Sequence, residues 1–568
     1  MKAVVFHHYE RFKSIFQTFV RENLCWISLF MVCSMPSVFS NVGYVLKYPS
    51  PAADIASMVP VCILKSFTES ILLAWVCSRL PRIPARSIVI ATVFLACCDL
   101  AALKEYHFVL SEGLLQAVMA TNLQESKEYL YTYREELIQS VLMALTIGWV
   151  MFQAVFYGIR RINQDRRILP VVLILGAEAF LYVTLYWGSL PGISIASARC
   201  LAILPKSAAE LSAYRDLPGR ICEDQKELTR IDKEVPHVVF VLGESASRHH
   251  MGLYGYDLDT TPYLSAREAN GELTVFSDVI SPQSVTILSL ERLFTFYHNE
   301  SGADSWYRYG NLFGILRKAG YHTAWLSNQE TGGVWGNVGR FYADCCDAQA
   351  FVKRRDSLSK KVSAEYDEQL LPLFDSLLQD EKQEPYDFTV IHLMGCHANY
   401  ASRYPESFAI FQSDEESADT EKKRQARAEY DNAVRYNDYI LDQIIRRLEQ
   451  EDAVLIYISD HGEEVYDVGD YMGHYTNGSF YQLEIPMLIW TSASFRRHHP
   501  ETCQRIEAAK DRPYMTDDMI HTLLDLTGVA TDEYDPGRSI IHPDFRADRP
   551  RIFNDKVYRR DWAEKKSF

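Results

Sequence analysis

Five long apolar runs fall within the first 190 residues of this 568-residue chain, at about Cys25–Tyr44, Ala56–Cys77, Ser87–Leu103, Leu137–Tyr157 and Leu169–Leu190. Each approaches the ~20 residues with which a helix crosses a bilayer core. Five such runs in so short a stretch exceed what a soluble domain needs for buried helices. The pattern predicts a transmembrane domain over residues 1–190 with five transmembrane helices, the first a span and not a cleaved leader.

Charge in the connecting loops orients that domain. Lys2, Arg11, Lys13 and Arg21 precede the first run. Arg79, Arg82 and Arg86 separate the second from the third, and Arg160, Arg161, Arg166 and Arg167 the fourth from the fifth. The loop between the first two carries only Lys47. The amino terminus is therefore expected in the cytoplasm, and everything beyond residue 190 on the outer side. Between the third and fourth runs, about residues 104–136, the chain reads as an amphipathic helix on the outer membrane surface. Thr121 and Glu125 share one face of it. They are either a solvated stripe or a contact to lipid headgroups.

Residues 191–235 form a polar connector, and residues 236–568 read as an exported α/β domain. The net charge of −16, from 58 basic and 74 acidic residues, argues against a nucleic-acid partner, which needs a basic face. Of the twelve cysteines, six lie in the exported part. Disulfides are expected there, with Cys200–Cys222 as a candidate pair. No C-x-x-C pair points to a cysteine zinc site. The charged run "SDEESADTEKKRQAR" reads as a surface loop or helix start.

Four apolar runs of strand length end in polar motifs: "HVVFVL" in Gly243-Glu244-Ser245, "HTAWL" in Ser327-Asn328, "DFTVIHLMG" in Cys396-His397, and "AVLIYIS" in Asp460-His461-Gly462. In open α/β sheets, ligands bind beyond the carboxyl ends of the strands. Glu244, Asp460, His461, His397 and His474 then form an oxygen-and-nitrogen set that suits Zn²⁺, with Mn²⁺ or Mg²⁺ less favoured because imidazole is present. Taken singly, each is more often a surface or capping residue; the shared strand-end placement sets them apart. The stretch "SPQSVTILSLER" offers hydroxyls at Ser281, Ser284, Thr286 and Ser289. Its apolar pattern from Val285 predicts a helix with Thr286 in the first turn, where free N–H groups favour a phosphate, and with Ser281 or Ser284 as a candidate cap.

These motifs carry a resemblance. "VVFVLGESASRHHMGLYGYDLDTTPYLS" with "ISDHGEEVYD" resembles the bacterial phosphoethanolamine transferases of the alkaline-phosphatase/sulfatase superfamily. "TVFSDVISPQSVTILSL", "CHANYASRYPE" and "YDNAVRYNDYI" look closest to the branch that modifies the core heptose of lipopolysaccharide. The resemblance implies a Gram-negative inner-membrane enzyme. Its periplasmic α/β sulfatase-like domain would have a mainly parallel sheet. It would move phosphoethanolamine from phosphatidylethanolamine to a lipopolysaccharide or lipooligosaccharide acceptor through a covalent phosphoethanolamine-threonine. It further implies Thr286 as nucleophile; Glu244, Asp460 and His461 as ligands, with Thr286, of one Zn²⁺; and His397, His474 and Asn328 as phosphate, leaving-group or second-metal residues. Thr121 and Glu125 are implied as headgroup contacts.

The chain departs from the lipid A-modifying members. Ser281-Pro282-Gln283 and Leu290-Glu291 replace the Gly-Thr and Pro-Cys that flank their nucleophile. No lysine follows Asn328 closely, Ala117 stands where they carry Asn, and the spacing from His461 to His474 is one longer. Competing readings are a metal-dependent phosphodiesterase or sulfatase-type hydrolase, a transferase acting on lipid A or periplasmic glucan, a phosphoglycerol transferase, and a non-catalytic membrane scaffold. No C/S-x-P-S/A-R motif starts at Ser281 or Ser284, which counts against a sulfatase.

Overall fold

The computed structural model describes residues 11, 14–40, 52–106, 109–110, 134–164, 193–202 and 227–558, the last without 234, 236, 303–304, 330–337, 353–364, 380–384, 469–470, 475–478 and 555. The chain divides into two compact units.

The first unit contains helices α1 (Leu24–Cys33), α2 (Ala52–Arg79), α3 (Arg82–Tyr106) and α4 (Arg134–Gln164). The expectation of five transmembrane helices is not met. Among the described residues two helices, Val59–Arg79 and Arg82–Leu103, are long and apolar enough to cross a membrane, and a bent pair, Ser14–Glu22 with Leu24–Ser40, brings the count to three at most. That pair is bent by 71° at the break between Glu22 and Leu24, just before the first apolar run. Helix α4, several of whose side chains are outside the described residues, is not among them. The run Leu169–Leu190 lies wholly outside the described residues, as do Thr121 and Glu125.

Polarity in this unit is inverted relative to a soluble domain. Leu72, Trp75, Ile90, Phe94, Leu142, Leu145 and Trp149 face outward, whereas charged groups are buried. Arg199 donates to both oxygens of Asp99 at 2.6 and 2.5 Å, and to Ser37 and the Ile193 and Leu110 carbonyls. Glu69 binds Lys65 at 2.6 Å and accepts the Ser194 N–H at 2.8 Å. Ionisable groups in apolar surroundings survive when paired and turned inward. These two clusters tie residues 193–199 to α2 and α3.

The second unit contains β1 (His237–Gly243), β2 (Leu273–Val275), β3 (Thr323–Ser327), β4 (Ala348–Phe351), β5 (Phe388–His392), β6 (Ala453–Ser459), β7 (Glu464–Val465), β8 (Met472–Gly473) and β9 (Met487–Thr491). Seven of them form one sheet in the order β2-β9-β6-β1-β5-β3-β4, while β7 and β8 form a separate hairpin. Alternate residues of β1 feed opposite cores: Val238, Phe240 and Leu242 pack on one face, Val239 and Val241 on the other. Burial on both faces is why these strands read as unbroken apolar runs. Helix α5 (Thr286–Leu293) packs on the first face and α6 (Glu421–Leu448) on the second. The second half of the charged run, from Glu421, is the start of α6, with Thr420 accepting from the Lys423 N–H as its cap.

The sheet is mixed, not mainly parallel. β6, β1, β5, β3 and β4 run parallel to one another, but β9 is antiparallel to both β6 and β2. A parallel return needs a crossover helix to carry the chain back along the sheet. After β6 the described chain instead builds the β7–β8 hairpin and one short helix, Phe480–Leu483, then enters β9 in the reverse direction. The Cys200–Cys222 expectation also fails: Cys200 is a free thiol, and Cys345 is the disulfide-bonded cysteine among the described residues.

Candidate active site

The carboxyl ends of β1 and β6 bring Glu244, Asp460 and His461 together, all buried. Two backbone features aim Glu244. Ser245 holds the left-handed conformation with φ +56°, a strained state that persists where surroundings impose it. Gly395, φ +53°, lies so close that a Cβ there would sit 2.7 Å from the Glu244 carbonyl oxygen, and the Cys396 N–H donates to that oxygen.

Thr286 is the first residue of α5, and its hydroxyl reaches this cluster. Oγ1 lies 3.2 Å from His461 Nε2 and 3.3 and 3.4 Å from the two Glu244 oxygens. The cap position belongs to Val285, so Ser281 does not cap the helix. Ser281 Oγ instead lies 2.7 Å from the Gln283 carbonyl, 2.5 Å from the Asp460 carbonyl and 3.1 Å from Ser289 Oγ, its single proton serving one of the carbonyls at a time. Ser289 also donates to the Gln283 carbonyl at 3.1 Å. These bonds hold the loop before Thr286 against the loop that carries Asp460.

The donor set fits a cation. Asp460 Oδ1 accepts the Ser245 and His461 N–H groups, whereas Oδ2 is buried with no hydrogen-bond partner among the described residues. His461 Nδ1 is 2.8 Å from the Gly462 carbonyl, so it is the protonated nitrogen and Nε2 presents its lone pair to the cluster. Nε2 lies 3.5 Å from Glu244 and 3.4 Å from Asp460 Oδ2. Burial, and then the Asp460 charge, push the Glu244 carboxyl well above the usual range, and burial lowers the His461 imidazole. Two buried carboxylates and a neutral imidazole converging on one point are costly without positive charge.

A second group adjoins the first. His461, Glu463 and His474 place one ligand atom each within 4.8 Å of one another. His474 Nδ1 lies 2.8 Å from Glu463 Oε2, and Tyr400 donates to Glu463 Oε1 at 2.6 Å. Glu463 was not singled out in the sequence, although it follows His461-Gly462 directly. His397 belongs to the same rim, its ring 6.4 Å from that of His474. Asn328 is buried at the end of β3 with its amide donating to Asp367 at 2.8 Å and the Glu365 carbonyl at 3.0 Å. Asp367 in turn accepts the Met394 and Gly395 N–H groups. Asn328 thus braces the loop beneath Glu244.

Gly462 is closely packed: a Cβ there would lie 2.2 Å from the Tyr481 carbonyl oxygen. Gly462→Ala is expected to displace His461 and to cost about 1–3 kcal/mol. Thermal unfolding with and without added zinc would show both a lower Tm and a weaker zinc response.

A sequence-family model described as Sulfatase matches residues 236–529, just over half of the chain. The chain belongs to the sulfatase family. A curated relative within it, "Phosphoethanolamine transferase EptC" of Escherichia coli O18:K1:H7, is 34% identical over 321 residues, which is 54% of each chain. This sulfatase-family chain therefore spans about half the length of the first curated relatives it matches. The crystal structure of the C-terminal periplasmic domain of EptC from Escherichia coli in complex with Zn is 32% identical, with a TM-score of 0.52, covering 59% of this chain and 94% of that one. The integral membrane protein lipooligosaccharide phosphoethanolamine transferase A from Neisseria meningitidis shares the fold over 91% of this chain and 98% of its own, with a TM-score of 0.65 and 22% identity.

Proposed function

We propose that the chain transfers phosphoethanolamine from phosphatidylethanolamine to a lipopolysaccharide-type acceptor through a covalent intermediate on Thr286. The observation that carries this reading is the Thr286 hydroxyl, set at a helix amino terminus within 3.4 Å of Glu244 and His461. Relatives named as phosphoethanolamine transferases, one of them crystallised with Zn, support it.

Glu244, Asp460, His461 and Thr286 would hold the zinc ion. When bound, zinc lowers the pKa of the threonine hydroxyl and offsets negative charge on the phosphoryl group. The protein's own groups account for the rest. Glu244 lies where it can take the Thr286 proton. The Thr286 oxygen bonds to phosphorus as the bond to diacylglycerol breaks. By helix geometry the first-turn N–H groups of α5 have no intrahelical acceptor, and they face developing phosphoryl charge. His474, oriented through Nδ1 by Glu463, donates a proton to the departing diacylglycerol oxygen. An acceptor hydroxyl, losing its proton to His474, then attacks the phosphorus; the bond from phosphorus to the Thr286 oxygen breaks, and Thr286 takes back the proton held by Glu244. His397 lines the same rim as a phosphoryl contact, and Thr121 and Glu125 are assigned to the donor headgroup.

The donor is confined to the membrane, so an enzyme joined to membrane helices gains proximity. Loop charge supports a cytoplasmic amino terminus, and a similar structure named as a periplasmic domain supports a periplasmic catalytic domain. The motifs favour core heptose as acceptor over lipid A or glucan. Purified protein given fluorescent phosphatidylethanolamine is expected to release diacylglycerol and to gain phosphoethanolamine mass on the peptide carrying Thr286. Release of free phosphoethanolamine with no acceptor product would replace the transferase by a hydrolase. Mass spectrometry of lipopolysaccharide from a deletion strain identifies the acceptor.

A further inference from the structure

His250 sits in the loop that leaves β1, in the "GESASRHHM" stretch, and plays no part in the chemistry above. Its side chain is 1% exposed, and both ring nitrogens face carboxylates. Nδ1 is 2.6 Å from Asp431 Oδ1 on α6, and Nε2 is 3.3 and 3.4 Å from the two oxygens of Asp467. A neutral imidazole carries one N–H and cannot donate to both partners. The ring is therefore an imidazolium. Burial opposes that charge, but Asp431 and Asp467 outweigh it and raise the pKa to about 10.

The surrounding groups are all engaged with one another. Tyr256 donates to Asp431 Oδ2 at 2.8 Å, Arg427 Nη1 lies 3.0 Å from Asp467, and Glu416 lies 3.4 Å from Arg427. Asp467 Oδ2 also accepts the Val465 N–H at 2.8 Å. Asp467 therefore terminates β7, and β7 pairs with β8 over only two residues a side. So short a hairpin is not stable by itself, and Tyr466 within it is left-handed with φ +61°. Yet its two ends carry the site: Glu463 precedes β7 and His474 follows β8.

We propose that His250 is a positioning residue whose two charge-assisted hydrogen bonds latch the β7–β8 hairpin to α6 and thereby fix Glu463 and His474. The proposal rests on the assignment of His474 to the reaction, but its primary readout is the hairpin itself. The opposing reading is a buried ion cluster that stabilises the whole domain without singling out the hairpin. Arg427, also on α6, still pairs with Asp467 when His250 is removed, so non-additivity in the double variant is what reports that His250 and Asp467 act through one contact.

The test uses full-length protein in detergent, as wild type, His250→Gln, Asp467→Asn and the double variant. Hydrogen exchange read by mass spectrometry is expected to quicken at least ~10-fold in peptides spanning 464–474 of His250→Gln, with β1 and β6 peptides unchanged. In turnover, kcat is expected to fall about 10- to 100-fold with KM within twofold, as for residues that orient a site from outside it. The double variant is expected to quicken exchange by less than the product of the two single effects. Unchanged hairpin exchange, equal quickening throughout the domain, or strictly additive effects overturns the proposal. If His250→Gln does not fold, Asp467→Asn decides alone: selective quickening of the hairpin supports the latch and its absence sinks it. A latch confirmed by exchange in a protein that forms no adduct would refute the transferase reading and leave the latch standing.

Discussion

Thr286→Ala is expected to abolish both the phosphoethanolamine adduct and diacylglycerol release, a loss of at least about 10⁴-fold in the first half-reaction. The hydroxyl is the group that meets Glu244, His461 and the amino terminus of α5 at once. Ser281 and Ser289 lie close by, but their hydroxyls are bound to backbone carbonyls and to each other. They cannot take over without dismantling the loop. Thr286→Ser keeps a hydroxyl at the same helix position and is expected to retain measurable transfer. The adduct is followed by intact-protein and peptide mass spectrometry. An adduct that persists in Thr286→Ala, on either serine or elsewhere, would sink the assignment.

The second large effect concerns the cation and reads on stability as well as turnover. Chelator treatment is expected to stop transfer and to lower Tm, and zinc to restore both. A ligand at about a thousand times its Kd adds ~4 kcal/mol to the folded state, which for a domain of this size is on the order of 10 °C. Asp460→Asn gives the more discriminating result. The amide can still accept from the Ser245 and His461 N–H groups, but it removes one of the two buried carboxylates. Without metal, that variant is expected to melt above metal-stripped wild type, by about 1–3 kcal/mol, because Glu244 no longer faces a like charge. With metal the order reverses. Differential scanning of the four states in one detergent checks this. A wild-type Tm indifferent to chelator, or a stripped Asp460→Asn that melts lower, would refute the cation-site reading.

Much of the candidate site was legible because its strands are buried on both faces. Each gives an unbroken apolar run with a conspicuous polar stop, which located Glu244, Asp460 and His461 at strand ends before any coordinates. Strand direction was not legible. Nothing local in "MLIWT" distinguishes the antiparallel β9 from its parallel neighbours; the clue was the missing crossover helix. Glu463 escaped notice because adjacent carboxylates in "DHGEEVYD" read as surface charge, and only the fold buries one of them against Tyr400 and His474. Asn328 was legible as a strand-end residue, but its amide is engaged by Asp367, a partner 39 residues away. The span count failed for a related reason. Apolar length signals a helix that prefers lipid, but it does not register the 71° bend at the break just before the first run.

The bond from Ser281 to the Asp460 carbonyl has a practical consequence. A nucleophile stapled to its surroundings by a disulfide depends on the oxidising machinery of its compartment and loses its placement under reductant. Here serine hydroxyls and main-chain carbonyls make that connection, and no thiol takes part among the described residues. These loop bonds do not themselves respond to redox state; the disulfide-bonded Cys345 ends the helix Val338–Cys345, whose Tyr342 hydroxyl donates to the Leu290 carbonyl of α5, so reductant is expected to act on α5 through that helix and not through the loop before Thr286.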